Sequence, residues 1–386
     1  MKRIIVVIIM TFVFSIIMTD ELYIDVLANN DNKSTLNVSQ QNDSVEYSEV
    51  KIEGDYRYRV VNGVEIETHE YIGDSKTVSI PREIEGKPVT RIGNITFFNK
   101  EIQRVEIPNT VKVIGDSAFN KNNLTEIKIP NSVTYIGNSV FYSNKLKEVD
   151  IPDSVEYIGG SAFSTNQLER VTLSKNLTKL QNGVFFNNKL KSITLPSSLT
   201  DLGEMAFYMN ELEAVEIPNG VKRIGMYTFT NNKLTSVNIP NSVIDIDGMA
   251  FAGNNLTNVD LSTNLETLGA YSFALNNLSS IKIPKTVRQI EDNSFTSNNL
   301  TTVEVLNPET VFGVDVFLDN QENPLMLCII GKDPSTSKNL ASINGFDFGI
   351  EGIGCDKEPP EIIIKPSSGD WAQKHSTTVT IEDLSS

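Results

Sequence analysis

Phenylalanine returns at fixed intervals of 22 residues through most of this chain: Phe97, Phe119, Phe141, Phe163, Phe185, Phe207, Phe229, Phe251, Phe273, Phe295 and Phe317. Asparagine keeps the same interval at Asn122, Asn144, Asn166, Asn188, Asn210, Asn232, Asn254, Asn276, Asn298 and Asn320. No composition produces that regularity, and a short fixed period is the mark of stacked repeats rather than of a folded globule. Residues 102–321 are ten full copies, with one modified copy ahead of them.

Each column has a physical job. Leu124-x-x-Ile127-x-Ile129-Pro130 alternates apolar and polar, as a half-buried strand does. Proline recurs after the strand, at 108, 130, 152, 196, 218, 240 and 284, where the absence of an N–H stops the ladder at a corner. Val133-x-x-Ile136-Gly137 then gives a second short apolar pair before a turn. Glycine at 93, 115, 137, 159, 203, 225 and 269 suggests a positive φ there, although Gln181, Asp247 and Glu291 fill the column elsewhere. The phenylalanine is expected to plug the interior. The asparagine, uncharged and both donor and acceptor, suits an inward ladder bonding the backbone of adjacent turns, against the alternative of a solvent-facing turn residue.

One copy is too small to fold alone. Its six apolar columns bury roughly 1.5–3 kcal/mol each, whereas ordering the backbone costs about 1–2 kcal/mol for every residue. Neighbouring copies must supply the rest. The fold class expected is a mainly β repeat solenoid of 22-residue coils, with short strands joined by turns or short helical turns. Eleven coils at ~4.8 Å would make a body about 50 Å long.

The flanks differ. Lys2 and Arg3 precede an apolar run from Ile4 to Met18, and Val26-Leu27-Ala28 offers a cleavage site, so residues 1–28 read as a secretory signal peptide. No second apolar stretch of spanning length follows it. Residues 29–50 are polar and aperiodic and read as a disordered linker. Residues 51–101 form a capping hairpin and first modified repeat, and 322–355 a C-terminal cap, with Cys328–Gly331 as a last strand, 334–339 as a loop and 346–353 as a closing segment. Cys328 and Cys355 lie 27 positions apart. In an oxidising compartment an even count suggests a disulfide, with two unpaired thiols as the alternative.

The net charge of −16 argues against nucleic acid as a partner, because little in the chain could neutralise a run of phosphates. His69 and His375 sit in unlike contexts, and no Cys/His metal site, phosphate-cradling loop or nucleophile elbow is present. Asp245-Ile246-Asp247-Gly248 hints at a calcium loop but lacks the ligand spacing, and its columns explain it as a core isoleucine and a glycine replacement. No catalytic, cofactor-binding or metal residue is assigned.

At the level of the whole motif, L-x-x-I-x-I-P-x-S-V-x-x-I-G-x-x-A-F resembles the BspA-like (Treponema-type) leucine-rich repeat over about residues 55–321. The lead-in is similar too: Tyr56-Arg57-Tyr58-Arg59-Val60 runs through Asn62-Gly63 into Val64-Glu65-Ile66, and Ile84-Glu85-Gly86-Lys87-Pro88-Val89 follows. Asparagine stands where many members carry cysteine, and the unit is one residue shorter. The resemblance implies a right-handed leucine-rich-repeat superhelix and a secreted or cell-surface bacterial protein associated with adhesion. Asp356-x-x-Pro359-Pro360-x-Ile362, continuing to Trp371, resembles the opening of a bacterial immunoglobulin-like module, of which 356–386 would be a truncated part.

Any ligand is then to be sought on the outward strand positions. Glu126, Lys128, Glu148, Asp150 and Arg170 make the first half of that face charged with mixed sign, while the second half is mostly small and polar. Tyr135 and Tyr157 are candidate aromatic anchors, with Tyr142, Phe186 and Tyr208 nearby; packing along the side of the solenoid is the alternative. The functional expectation is an exported, non-catalytic surface protein binding an extracellular protein or glycan. A structural stalk presenting downstream modules is the alternative, and a polysaccharide-active enzyme a distant third.

Overall fold

The computed structural model describes residues 45–320, 327–332, 335–350 and Cys355. The signal-peptide segment, most of the polar linker and the immunoglobulin-like segment lie outside the described residues. The chain winds as a mainly β solenoid of about 13 coils. That exceeds the eleven expected because strands before and after the repeats continue the stack.

Each coil has three walls. A first strand column carries segments such as Glu148–Asp150 and Arg170–Thr172, paired parallel with a shift of 22 residues. After the proline a turn closes, with the Val111 N–H donating to the Pro108 carbonyl at 3.1 Å and the same bond repeated at later corners. Where Ser174 replaces proline, its buried hydroxyl donates to the Val155 carbonyl at 2.7 Å and holds the same corner. The apolar pair that follows forms a second parallel column, from Val113–Ile114 through Tyr135–Ile136 and Tyr157–Ile158 to Val311–Phe312.

The third wall carries the phenylalanines, and its backbone corrects one expectation. Glycines 115, 137, 159, 203, 225 and 269 do not have positive φ. Most of them face a close neighbour in the coil before: a Cβ on Gly137 would stand 2.7 Å from the Asp116 backbone nitrogen, whereas one on Gly225 would come no nearer than 3.2 Å, and Gln181, Asp247 and Glu291 fill the column elsewhere. The left-handed conformation falls instead two residues before and two after every phenylalanine, as at Ser117 (φ 55°) and Lys121 (φ 55°), and only Gly183 and Gly253 of those positions are glycine. This conformation turns alternate N–H groups along the stack. Ser117, Phe119 and Lys121 donate to the carbonyls of Asn138, Val140 and Tyr142 at 2.8–3.0 Å, and later coils repeat the triplet.

Inside, the phenylalanine rings stack from Phe97 to Phe317 at centroid spacings of 4.9–5.9 Å. Tyr56 and Tyr71 close one end of the stack, and Phe346 meets Phe317 edge-on at the other. Beside the rings runs the asparagine ladder. Asn144 Oδ1 accepts from the Leu124 N–H at 3.0 Å, and Nδ2 donates to the carbonyls of Phe119 and Phe141 at 2.9 and 3.2 Å. All ten asparagines repeat the link to the coil before, with Oδ1 bonds of 2.8–3.1 Å. Aspartate lacks the donor and serine lacks the reach, which is why the column tolerates neither.

The ends are built differently. Tyr56–Val61 and Glu65–Tyr71 form an antiparallel hairpin, and the latter pairs parallel with Lys87–Ile92 to start the stack. The stretch 45–50, read as linker, bonds to this hairpin: Ser48 donates to the Val60 carbonyl and Asn62 to the Glu46 carbonyl. At the other end Cys328–Gly331 and Asp347–Ile350 extend the first strand column. Between them Thr336–Asn344 is an α-helix, where a loop was expected. Ser335 caps its start by accepting from the Lys338 N–H at 3.1 Å, and Gly345 at φ 71° ends it. Cys328 and Cys355 are joined in a disulfide, Cα atoms 6.0 Å apart.

Two stability outcomes follow from these walls. Asn210→Leu leaves the buried Leu190 N–H without a partner and the Phe185 carbonyl with only the Asn188 amide, and should cost about 1–3 kcal/mol in denaturant unfolding. Ile95 holds a β-branched side chain at φ 54° on the surface, so Ile95→Gly should stabilise by about 1 kcal/mol in the same assay.

Candidate ligand-binding face

Strand alternation sends the residues flanking each inward apolar side chain to the surface, so the first strand column presents two outward side chains per coil. Glu126, Lys128, Glu148, Asp150 and Arg170 are exposed there. The structure brings three of them into one cluster. The Arg170 guanidinium bridges the preceding coil, donating to Glu148 at 2.7 Å and to Asp150 at 3.1 Å, and Asp150 also accepts from the Thr172 hydroxyl at 2.7 Å. The hydrogen bond to Glu148 and its charge raise the Arg170 pKa further above its ordinary value. Glu126 pairs instead with Arg104 at 2.8 Å. Lys128 makes no ion pair among the described residues.

Tyr135 and Tyr157 lie on the second strand column, around the proline corner from these charges. Their rings stack at 4.8 Å, 8° from parallel, and both are half-buried. Burial, with Asp116 adding to it, pushes the Tyr135 phenol up to about 12. The charged and aromatic candidates are therefore two features on two walls, not one site. A further aromatic group, Phe186 on Tyr208 at 5.4 Å and Tyr208 on Tyr227 at 6.0 Å, decorates the third wall. Asp245 and Asp247 are explained by packing and pairing: Ile246 between them is buried, and Asp247 accepts from Arg223.

The first strand column is not uniform. Its parallel ladder runs between 77–79 and 104–106, between 148–150 and 170–172, between 236–238 and 258–260, and from 280 onward. It lapses at 126–128 and again at 192–194 and 214–216, although those segments carry the same inward pattern. Inward side chains stay packed across the lapse: Ile193 and Leu195 are each 9% exposed, as is Val171 in a paired segment, and Ile217 is 4% exposed. The outward residues over the larger lapse are Ser192, Thr194, Ala214, Glu216, Ser236 and Asn238, with one charge among them. Sequence reasoning registered the small polar run but not the gap behind it.

Among the described residues no group of three histidines, cysteines, aspartates or glutamates is placed to hold a metal ion. No helix among them is long and apolar enough to cross a membrane.

Comparison with known proteins adds a family. The model for the BspA type leucine-rich repeat region matches residues 90–213 and 202–323. Among solved structures, the pneumococcal vaccine antigen PcpA is 21% identical with a TM-score of 0.50, the match covering 81% of this chain and 98% of that one. A leucine-rich cell surface protein of Faecalibacterium prausnitzii is 24% identical, with a TM-score of 0.47 and 77% and 98% of the two chains covered. A leucine-rich repeat protein of Bacteroides ovatus is 20% identical, with a TM-score of 0.40 over 81% and 99%. No curated protein matches the chain.

The tyrosines give a pH test. Burial pushes both Tyr135 and Tyr208 up to about 12, above the value near 10 of an unfolded chain. The folded state holds these phenol protons more tightly, so stability present below pH ~10 should be lost progressively as pH rises through about 12. Absorbance at the tyrosinate band should show a high-pH step that moves to ~10 in denaturant.

Proposed function

The chain belongs to the BspA-type leucine-rich repeat proteins, and from that premise we propose that it is an exported cell-surface protein whose first strand column binds an extracellular macromolecule without catalysis. The observation that carries this reading is the contrast between the walls. Inward columns repeat phenylalanine and asparagine without variation, because packing fixes them. The outward positions of the first strand column follow no such rule, changing from a mixed-charge cluster at Arg170 to a stretch of small, mostly polar residues at 192–238 whose one charge is Glu216. A stack of coils in register supplies the rigid backing that such a surface needs. The leader-like residues 1–28 support export, and the family supports a place at the cell surface.

A second reading, that of a stalk presenting a following module, rests on the disulfide. Cys355 is bonded to Cys328, which lies in a strand of the first column. A pull on the chain after residue 355 would load that strand pair directly rather than peel off the helical cap.

Binding of the purified full chain to an array of host matrix proteins and bacterial surface glycans separates the two. The adhesive reading expects a saturable hit that Arg170→Glu weakens at least tenfold if the charged cluster is the contact, or that Tyr135→Ala with Tyr157→Ala weakens if the stack is. Silence across the array from folded protein would favour the stalk.

A further inference from the structure

We propose that the lapse in the first strand column at 192–217 is a binding site for a neutral glycan chain, an inference that rests on the reading of this wall as a binding surface. The lapse is a groove of about 700 Å³ that spans three coils. In the intact ladder each inward residue donates its N–H to an outward carbonyl of the next coil: Ile151 to Thr172 at 2.9 Å, and Ile239 to Asp260 at 2.8 Å. The equivalent donors in the groove are Leu195 and Ile217, and the carbonyl facing Leu195 is that of Glu216. Among the described residues, Leu195 and Ile217 find no partner for their N–H groups, and Thr194 and Glu216 find none for their carbonyls.

Backbone groups left open in this way are satisfied by water or by a ligand. A hydroxyl donates and accepts at once and fits between an N–H and a carbonyl that stand too far apart to meet. A polyhydroxylated chain repeats that group along its length. The side chains agree with this choice. Thr194 and Asn238 give exposed uncharged hydrogen-bonding groups at the rim, while half-buried Val215 and buried Pro218 give an apolar floor for the C–H face of a sugar ring.

Other ligand classes fit less well. An extended peptide joins a sheet at an exposed edge, whereas this groove has coils on both sides and its open groups face across coils rather than along one strand. An anionic polymer would meet Glu216, the one charged residue of the lining, in a chain of net charge −16.

Isothermal titration of the full chain tests the proposal, with an N-acetylglucosamine hexamer, a mannan and a dextran as neutral probes and heparin as the anionic control. Saturable binding of at least one neutral probe is expected, with none for heparin. Thr194→Lys with Asn238→Lys should weaken it at least tenfold while leaving the unfolding midpoint unchanged, and Arg170→Glu should leave it intact. Silence of all three neutral probes, heparin binding, or neutral binding that survives the double lysine variant would each overturn the site. If protein ligands bind through the Arg170 cluster while the neutral glycans are silent, the groove assignment fails and the adhesive reading stands. If the protein ligands are silent too, both fail.

Discussion

Everything in this molecule hangs on one side-chain amide per coil reaching back into the coil before. The asparagine ties two backbone groups that sit five residues apart in the preceding turn, the phenylalanine carbonyl and the leucine N–H, and so closes the corner where that turn bends. Only a neutral group with one donor end and one acceptor end does both. Because each link joins consecutive coils, register is fixed at 22 residues along the whole stack. The phenylalanine rings can then overlap face to face instead of settling each in its own pocket.

The three walls are held unequally. The phenylalanine wall has three forward backbone bonds at every interface, and the second strand column is paired over most of its length. The first strand column is the slack one, paired in some coils and open in others. A stack clamped on two sides accommodates differences between coils on the third. That division gives the protein a rigid body and one wall whose spacing and chemistry are free to vary. A protein that must recognise something on a uniform scaffold places recognition where packing makes the fewest demands.

The architecture was legible because its causes are side chains at fixed positions. Phe119 and Asn122 recur because burial and hydrogen bonding admit nothing else, and the inward ladder can be read from those two columns. The left-handed positions were not legible, since Ser117, Met205, Tyr227 and Leu275 share no residue type that marks them; the bonds to the next coil impose the conformation. Glycine at 137 was visible but pointed to the wrong cause, because close approach of a neighbouring backbone leaves the same sequence mark as a positive φ. The helix at 336–344 carried both of its signals, Ser335 before it and Gly345 after it, with too weak an apolar pattern between them. At the surface, the charges of Glu148, Asp150 and Arg170 were evident but not that they neutralise one another. The open ladder at 192–217 was hidden because Ile193-x-Leu195-Pro196 reads like any paired coil. Spacing between coils is a property of the stack, and no single repeat encodes it.

Amide hydrogen exchange of the free protein, resolved along the chain, tests the unequal walls most directly. The N–H groups of the phenylalanine wall, from Phe119 to Phe295, should exchange only with global unfolding, while those of Leu195 and Ile217 should exchange orders of magnitude faster than Ile151 and Ile239 in the paired coils. Equal protection of all four first-column amides would mean that the ladder is closed throughout, and would contradict both the slack wall and the groove built on it.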